Sequence, residues 1–127
     1  MQAPAYDTVS WFQIGTDDSE GAQRFYGGLF GWKFTLDPDS DGYDLIKFAG
    51  AEAPSGGIAH TGGGAENHAM FLVVVEDVAA ACAAAEKLGG KVTLAPTTAG
   101  SGLVFAYLND PAGNQFGVFT PPAVPAT

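Results

Sequence analysis

Apolar and polar positions alternate along residues 9–16, where β-branched and aromatic side chains dominate, and a period of two predicts a strand. From Asp17-Asp18 the period changes. Ala22, Phe25, Tyr26 and Leu29 recur at three- and four-residue spacing, which predicts an amphipathic helix capped by one of the two aspartates and stopped at Gly31. Tyr26 is expected between helix and sheet and Arg24 in solvent. Residues 32–36, 43–49 and 56–60 read as strands, with the turn composition Asp37-Pro38-Asp39-Ser40-Asp41-Gly42 between the first two.

The same order then returns. Residues 69–75 read as a strand, Asp77 caps an alanine-rich helix over 78–88, and Gly89-Gly90 end it. Residues 91–94, 104–109 and 115–119 read as strands, the last two joined by a hairpin turn at Asp110-Pro111-Ala112-Gly113-Asn114. Small alanine side chains would let the second helix lie close to its sheet. A shift of 59 in the numbering lays Trp11-Phe12 on Met70-Phe71, Asp18 on Asp77, Ala22 on Ala81, Leu29 on Leu88 and Ile58 on Gly117. The expectation is one domain, 1–127, made of module 9–60 and module 68–119. Neither module buries its apolar faces easily alone, so the two should pair around a concave surface, and chemistry belongs there.

Charge narrows the partners. Fourteen acidic residues against five basic ones give a formal charge of −9 with no basic cluster, which disfavours nucleic acid and anionic membranes and tolerates neutral or cationic ligands. The apolar run 71–75 is far too short to span a bilayer, and no basic residue precedes Arg24, so no signal peptide is read and a cytoplasmic location is expected. The single Cys82 excludes an internal disulfide and reads as a small buried hydrophobe. Thr61-Gly62-Gly63-Gly64-Ala65 lacks the preceding strand, the Lys-Ser/Thr pair and the following helix of a phosphate loop, and reads as a link.

Asp18, Phe25-Tyr26 and Leu29-Phe30-Gly31-Trp32, followed by Asp77-Val78, Leu88-Gly89-Gly90 and the Asp110–Asn114 turn, together resemble the vicinal oxygen chelate family over residues 9–119. That family includes glyoxalase I, extradiol dioxygenases, fosfomycin-resistance proteins and bleomycin-binding proteins. The resemblance implies an α+β fold of two βαβββ modules whose curled mixed sheets form a cup, often in a homodimer. It also implies a divalent metal held by His, Gln or Glu on the first strand of each module and by Glu on the last strand. The matching positions here are Trp11, Met70 and Gly117. Indole has no free lone pair, thioether is soft and glycine has no side chain, so no metal and no cofactor are expected at the family site.

Without a metal, the expected cup lining is Trp11, Gln13, Met70, Leu72, Phe105, Tyr107, Gln115, Gly117 and Phe119, with Gly117 leaving room for a ligand. An aromatic, apolar lining with few polar groups suits a flat organic molecule, and Trp11 would attract a cationic group. The reading is a small-molecule-binding protein that sequesters a hydrophobic or cationic metabolite or antibiotic. The alternative is a glyoxalase- or dioxygenase-like lyase or isomerase using a relocated metal or a metal-free histidine base. His60 and His68 are its first candidates, with Gln13 near them. Strand alternation puts His68 on the face of Met70 and His60 on the face of Ile58, the internal counterpart of Gly117.

Overall fold

The computed structural model describes residues 5–36, 42–62 and 66–122. Among them the order is β1 (Thr8–Thr16), α1 (Ser19–Phe30), β2 (Lys33–Leu36), β3 (Tyr43–Lys47), β4 (Gly56–His60), β5 (His68–Val74), α2 (Val78–Lys87), β6 (Lys91–Thr98), β7 (Val104–Asn109) and β8 (Gln115–Thr120). The α+β class and the repeated βαβββ order are those expected from the sequence. The turn expected at Asp37–Asp41 and the glycines at 63–64 lie outside the described residues.

Two compact units emerge: a first, Trp11–Met70, and a second, Phe71–Thr127 together with Met1–Ser10. In the first unit the strand order is β2-β3-β4-β1, with β1 and β4 parallel and the other pairs antiparallel. In the second it is β5-β8-β7-β6, again with one parallel pair, β5 with β8. The helices begin as the sequence predicts. Asp18 Oδ1 accepts the Gly21 N–H at 3.0 Å and Asp77 Oδ1 accepts the Ala80 N–H at 3.1 Å, satisfying amide donors that have no partner within the helix. Gly31 ends α1 in the left-handed region, φ 74°, and donates its N–H to the Gly27 carbonyl.

The core of the second unit is Val75, Val78, Cys82, Ala106, Leu108 and Val118, against which Ala81 and Ala85 pack. Alanine at these turns brings α2 near the sheet, as expected. Burial pushes the Cys82 thiol above its ordinary pKa, and the Glu86 charge adds to the shift. The hairpin turn closes on Asp110, whose carboxylate accepts from the Ala112 and Asn114 N–H groups and from Asn114 Nδ2. Those bonds, led by the Asn114 side chain, hold its pKa below the usual carboxylate value. β6 runs to Thr98, four residues past the predicted end, because register shifts after Val92 and Leu94 let the strand continue through Pro96 along one edge.

The first unit departs from expectation on its helix. Phe25 and Leu29, on the apolar stripe of the amphipathic helix, are 61% and 59% exposed, and no residue of α1 is buried. Tyr26 does lie half-buried, stacked on Trp32 with ring centroids 5.4 Å apart. Arg24 is exposed as expected. The fully buried positions of this unit, Ile46 and Ile58, come from β3 and β4.

Register decides which side chains share a face. On one side of the first unit's sheet stand Trp11, Gln13 and Gly15 of β1, Gly57 and Ala59 of β4, and Tyr43 and Leu45 of β3. On the other side, against α1, stand Ile14, Thr16, Ile58, His60, Asp44 and Ile46. Gln13 pairs with Gly57, whereas Leu72, its equivalent 59 residues on, pairs with Gly117. The structural repeat has therefore slipped to 60 by the last strand, and the counterpart of Gly117 is Gly57, not Ile58. A slip of one residue moves a side chain to the opposite face.

Candidate functional site

The face carrying Trp11 in the first unit holds two polar pairs on an otherwise apolar surface. Trp11 Nε1–H donates to Tyr43 Oη at 3.0 Å, so the indole's one donor is engaged and its ring is fixed half-buried. The Tyr43 ring lies over Gly57, where a Cβ would collide with it. Beside it Gln13, 3% exposed, approaches His68: Nε2 to Nε2 is 3.4 Å. His68 Nδ1 lies 3.0 Å from the Glu66 carbonyl oxygen. A carbonyl only accepts, so the ring proton sits on Nδ1, and Nε2 offers its lone pair to the Gln13 amide. The ring lies over Gly15, in the space a side chain would need. Met70, 6% exposed, is buried.

Six of the expected lining residues belong to the second unit, where they share one face: Leu72, Phe105, Tyr107, Gln115, Gly117 and Phe119. The Phe105 and Tyr107 rings are 5.7 Å apart and tilted by 43°. Phe119 is half-buried and Gln115 exposed. The space expected at Gly117 is already filled: a Cβ there would come within 2.8 Å of Leu72 Cδ2, and Leu72 is 5% exposed. The glycine accommodates a neighbour within the chain.

His60 is elsewhere. It stands on the α1 side of the first unit's sheet, its Nε2 2.7 Å from Asp44 Oδ2. Asp44 is 8% exposed and the same oxygen accepts from Ser19 Oγ at 2.8 Å and Gln23 Nε2 at 3.1 Å. The carboxylate thus ties α1 to β3 and β4, with each buried donor paired to it. His60 and His68 occupy opposite faces, so the offset metal site considered for these two histidines with Gln13 is not assembled. Among the described residues no group of three or more His, Cys, Asp or Glu could hold a metal ion.

The family metal positions do not fit a divalent cation either. Trp11 presents an N–H already given to Tyr43, Met70 is a buried thioether, and Leu72 overlies Gly117. Sequence reasoning missed Tyr43, the Glu66 carbonyl and the Asp44 cluster. Tyr43 was legible only as a strand residue, because its face depends on the β3–β4 register.

The chain is 30% identical to the anthracycline biosynthesis protein DnrV of Streptomyces peucetius over 87% of its length and 46% of the relative's, so it spans about half that protein. Its fold is similar to a methylmalonyl-CoA epimerase of Streptomyces coelicolor, with a TM-score of 0.61 at 16% identity, covering 97% of this chain and 100% of that one. It is similar as well to the 2,3-dioxygenase LapB from Pseudomonas sp. KL28, with a TM-score of 0.61 at 17% identity, covering 94% and 44%. Residues 8–118 match a family profile over most of the chain, and the chain belongs to the Glyoxalase/Bleomycin resistance protein/Dioxygenase superfamily.

Proposed function

We propose that this protein binds a flat, largely apolar organic molecule on the first unit's face of Trp11, Gln13, Tyr43 and His68, and does so without a divalent metal. The observation that carries the reading is the replacement of the family's ligand positions by Trp11, Met70 and Gly117 together with the use of their neighbours. The indole N–H is bonded to Tyr43 and the glycine space is taken by Leu72. What remains for a ligand is the aromatic area of Trp11 and Tyr43, on the face that also carries His68. The −9 charge and the Trp11 ring favour a ligand that also carries a cationic group. A relative named for anthracycline biosynthesis points to fused-ring polyketides as the first compounds to test. Sequestration in the cytoplasm by a homodimer is the role this reading assigns.

A second reading is favoured by one observation. His68, with its proton held on Nδ1 by the Glu66 carbonyl, turns Nε2 toward Gln13 on the same face, and metal-free isomerase or lyase chemistry there requires the substrate to take the place of the Gln13 amide at that nitrogen. A thermal-shift screen of planar polycyclic compounds tests the binding reading, since a ligand that binds only the folded state raises Tm. Elemental analysis of the dialysed protein accompanies it. A saturable rise in Tm with no stoichiometric metal supports binding, and tightly held zinc, nickel, manganese or iron contradicts it. Turnover abolished by His68→Gln would select the second reading.

A further inference from the structure

Two of the chain's five basic residues stand directly opposite one another in the first unit's sheet, where Lys33 of β2 pairs with Lys47 of β3. Residues opposed in this way carry their Cβ atoms on one face, about 4.5–5.5 Å apart, and like charges so placed weaken the pairing. Among the described residues neither lysine is joined to a carboxylate, in a chain with fourteen acidic side chains to choose from. Lys33 lies on the outermost strand, where a lysine discourages pairing with other chains. That role asks nothing of Lys47, which is half-buried one strand further in.

Register puts the pair on the face of Trp11. Gln13, Gly57, Leu45 and Thr35 form one row across the four strands. Two residues along, toward the same end of the sheet, stand Trp11 on β1, Lys47 on β3 and Lys33 on β2, and a step of two keeps each on the face of its row. At the spacing of paired strands, Trp11 is about 10 Å from Lys47 and about 14 Å from Lys33. Tyr43, over Gly57 and bonded to the Trp11 indole, extends the aromatic surface on the same side. Aromatic area and two cations therefore share one face.

We propose that Lys33 and Lys47 take an acidic group of the ligand whose rings lie on Trp11 and Tyr43, so that the ligand is a planar aromatic acid. The inference rests on the ligand reading above and narrows it. A carboxylate between the two ammonium groups converts a repulsive pair into two charge-assisted contacts, and the flexible lysine stems let both reach it. The chain's net charge of −9 acts on approach and is screened beyond about 8–10 Å, whereas the lysines act in contact. A cationic group held at Trp11 and an acidic group held at the lysines occupy separate ends of the face, and one ligand can carry both.

Isothermal titration of the full chain with an anthraquinone carboxylate and with the matching carboxamide tests the proposal on the wild type, the double variant Lys33→Gln/Lys47→Gln, and Trp11→Ala. The wild type should bind the acid about fivefold more tightly than the amide, and added salt should shrink that ratio. In the double variant the ratio should fall toward one, while Tm stays equal or rises because two opposed like charges are gone. Equal binding of both probes by the wild type overturns the lysine pair, as does a preference for the acid that survives the double substitution. In either of those cases, weaker binding of both probes by Trp11→Ala leaves the ligand reading standing. Binding of neither probe overturns both.

Discussion

His60 Nε2 lies 2.7 Å from Asp44 Oδ2 on the α1 side of the first unit's sheet, while His68 lies on the other side over Gly15. The first histidine completes a buried carboxylate cluster that fastens the helix. The second faces the Trp11 surface. Their division of labour follows from strand register, since Thr16 pairs with His60 and Gly15 with Ala59.

Asp44→Ala should destabilise the fold by about 2–3 kcal/mol, because three donors lose their acceptor and two of them, from Ser19 and Gln23, are part-buried. His60→Ala should cost less than about 1 kcal/mol, since that side chain is 40% exposed and water replaces the bond. Urea unfolding followed by circular dichroism measures both, and equal losses would contradict the assignment.

Gly117→Ala should destabilise the second unit by about 1–3 kcal/mol, because the new methyl would come within 2.8 Å of Leu72 Cδ2 on a buried strand. Pairing it with Leu72→Ala should recover part of that loss by removing the clash, at the cost of a cavity. A double-mutant cycle reads the coupling.

The Cys82 thiol should react slowly in the native state at neutral pH. It is 6% exposed within the apolar core, and burial first, with Glu86 second, favours its protonated form. Titration with an aromatic disulfide reagent should show full reaction only after unfolding.

The hairpin turn should loosen in acid. The native pKa of Asp110 is depressed by bonds to Asn114 and Ala112, so the stabilisation is present above the unfolded carboxylate value and is lost as pH falls through the native one. Amide exchange at Ala112 and Asn114 should accelerate on that descent more than exchange in the core strands. Asp110→Asn should remove the pH dependence.

Much of the architecture was legible in the sequence because local signals agree. Asp18 and Asp77 cap, Gly31 stops a helix in the left-handed region, and Asp110 closes a turn through its own side chain. Strand alternation likewise set Gln115, Gly117 and Phe119 on one face of the last strand. What misled were features that no local pattern encodes. The repeat of 59 became 60 between β1 and β4, which moved His60 away from the face of Gly57. The room at Gly117 belonged to Leu72, a residue 45 positions away in sequence. Phe25 and Leu29 fit the helix period but face outward, since periodicity marks an apolar stripe without saying whether the chain itself covers it.

Isothermal titration of the chelator-treated protein with a planar polycyclic aromatic ketone tests the central claim most directly, using wild type and Trp11→Ala matched for folding by circular dichroism. Saturable binding near one ligand per chain is predicted, with Kd in the micromolar range and at least about tenfold weaker in Trp11→Ala. Binding that ignores Trp11→Ala, or that appears only after a divalent metal is restored, would contradict it.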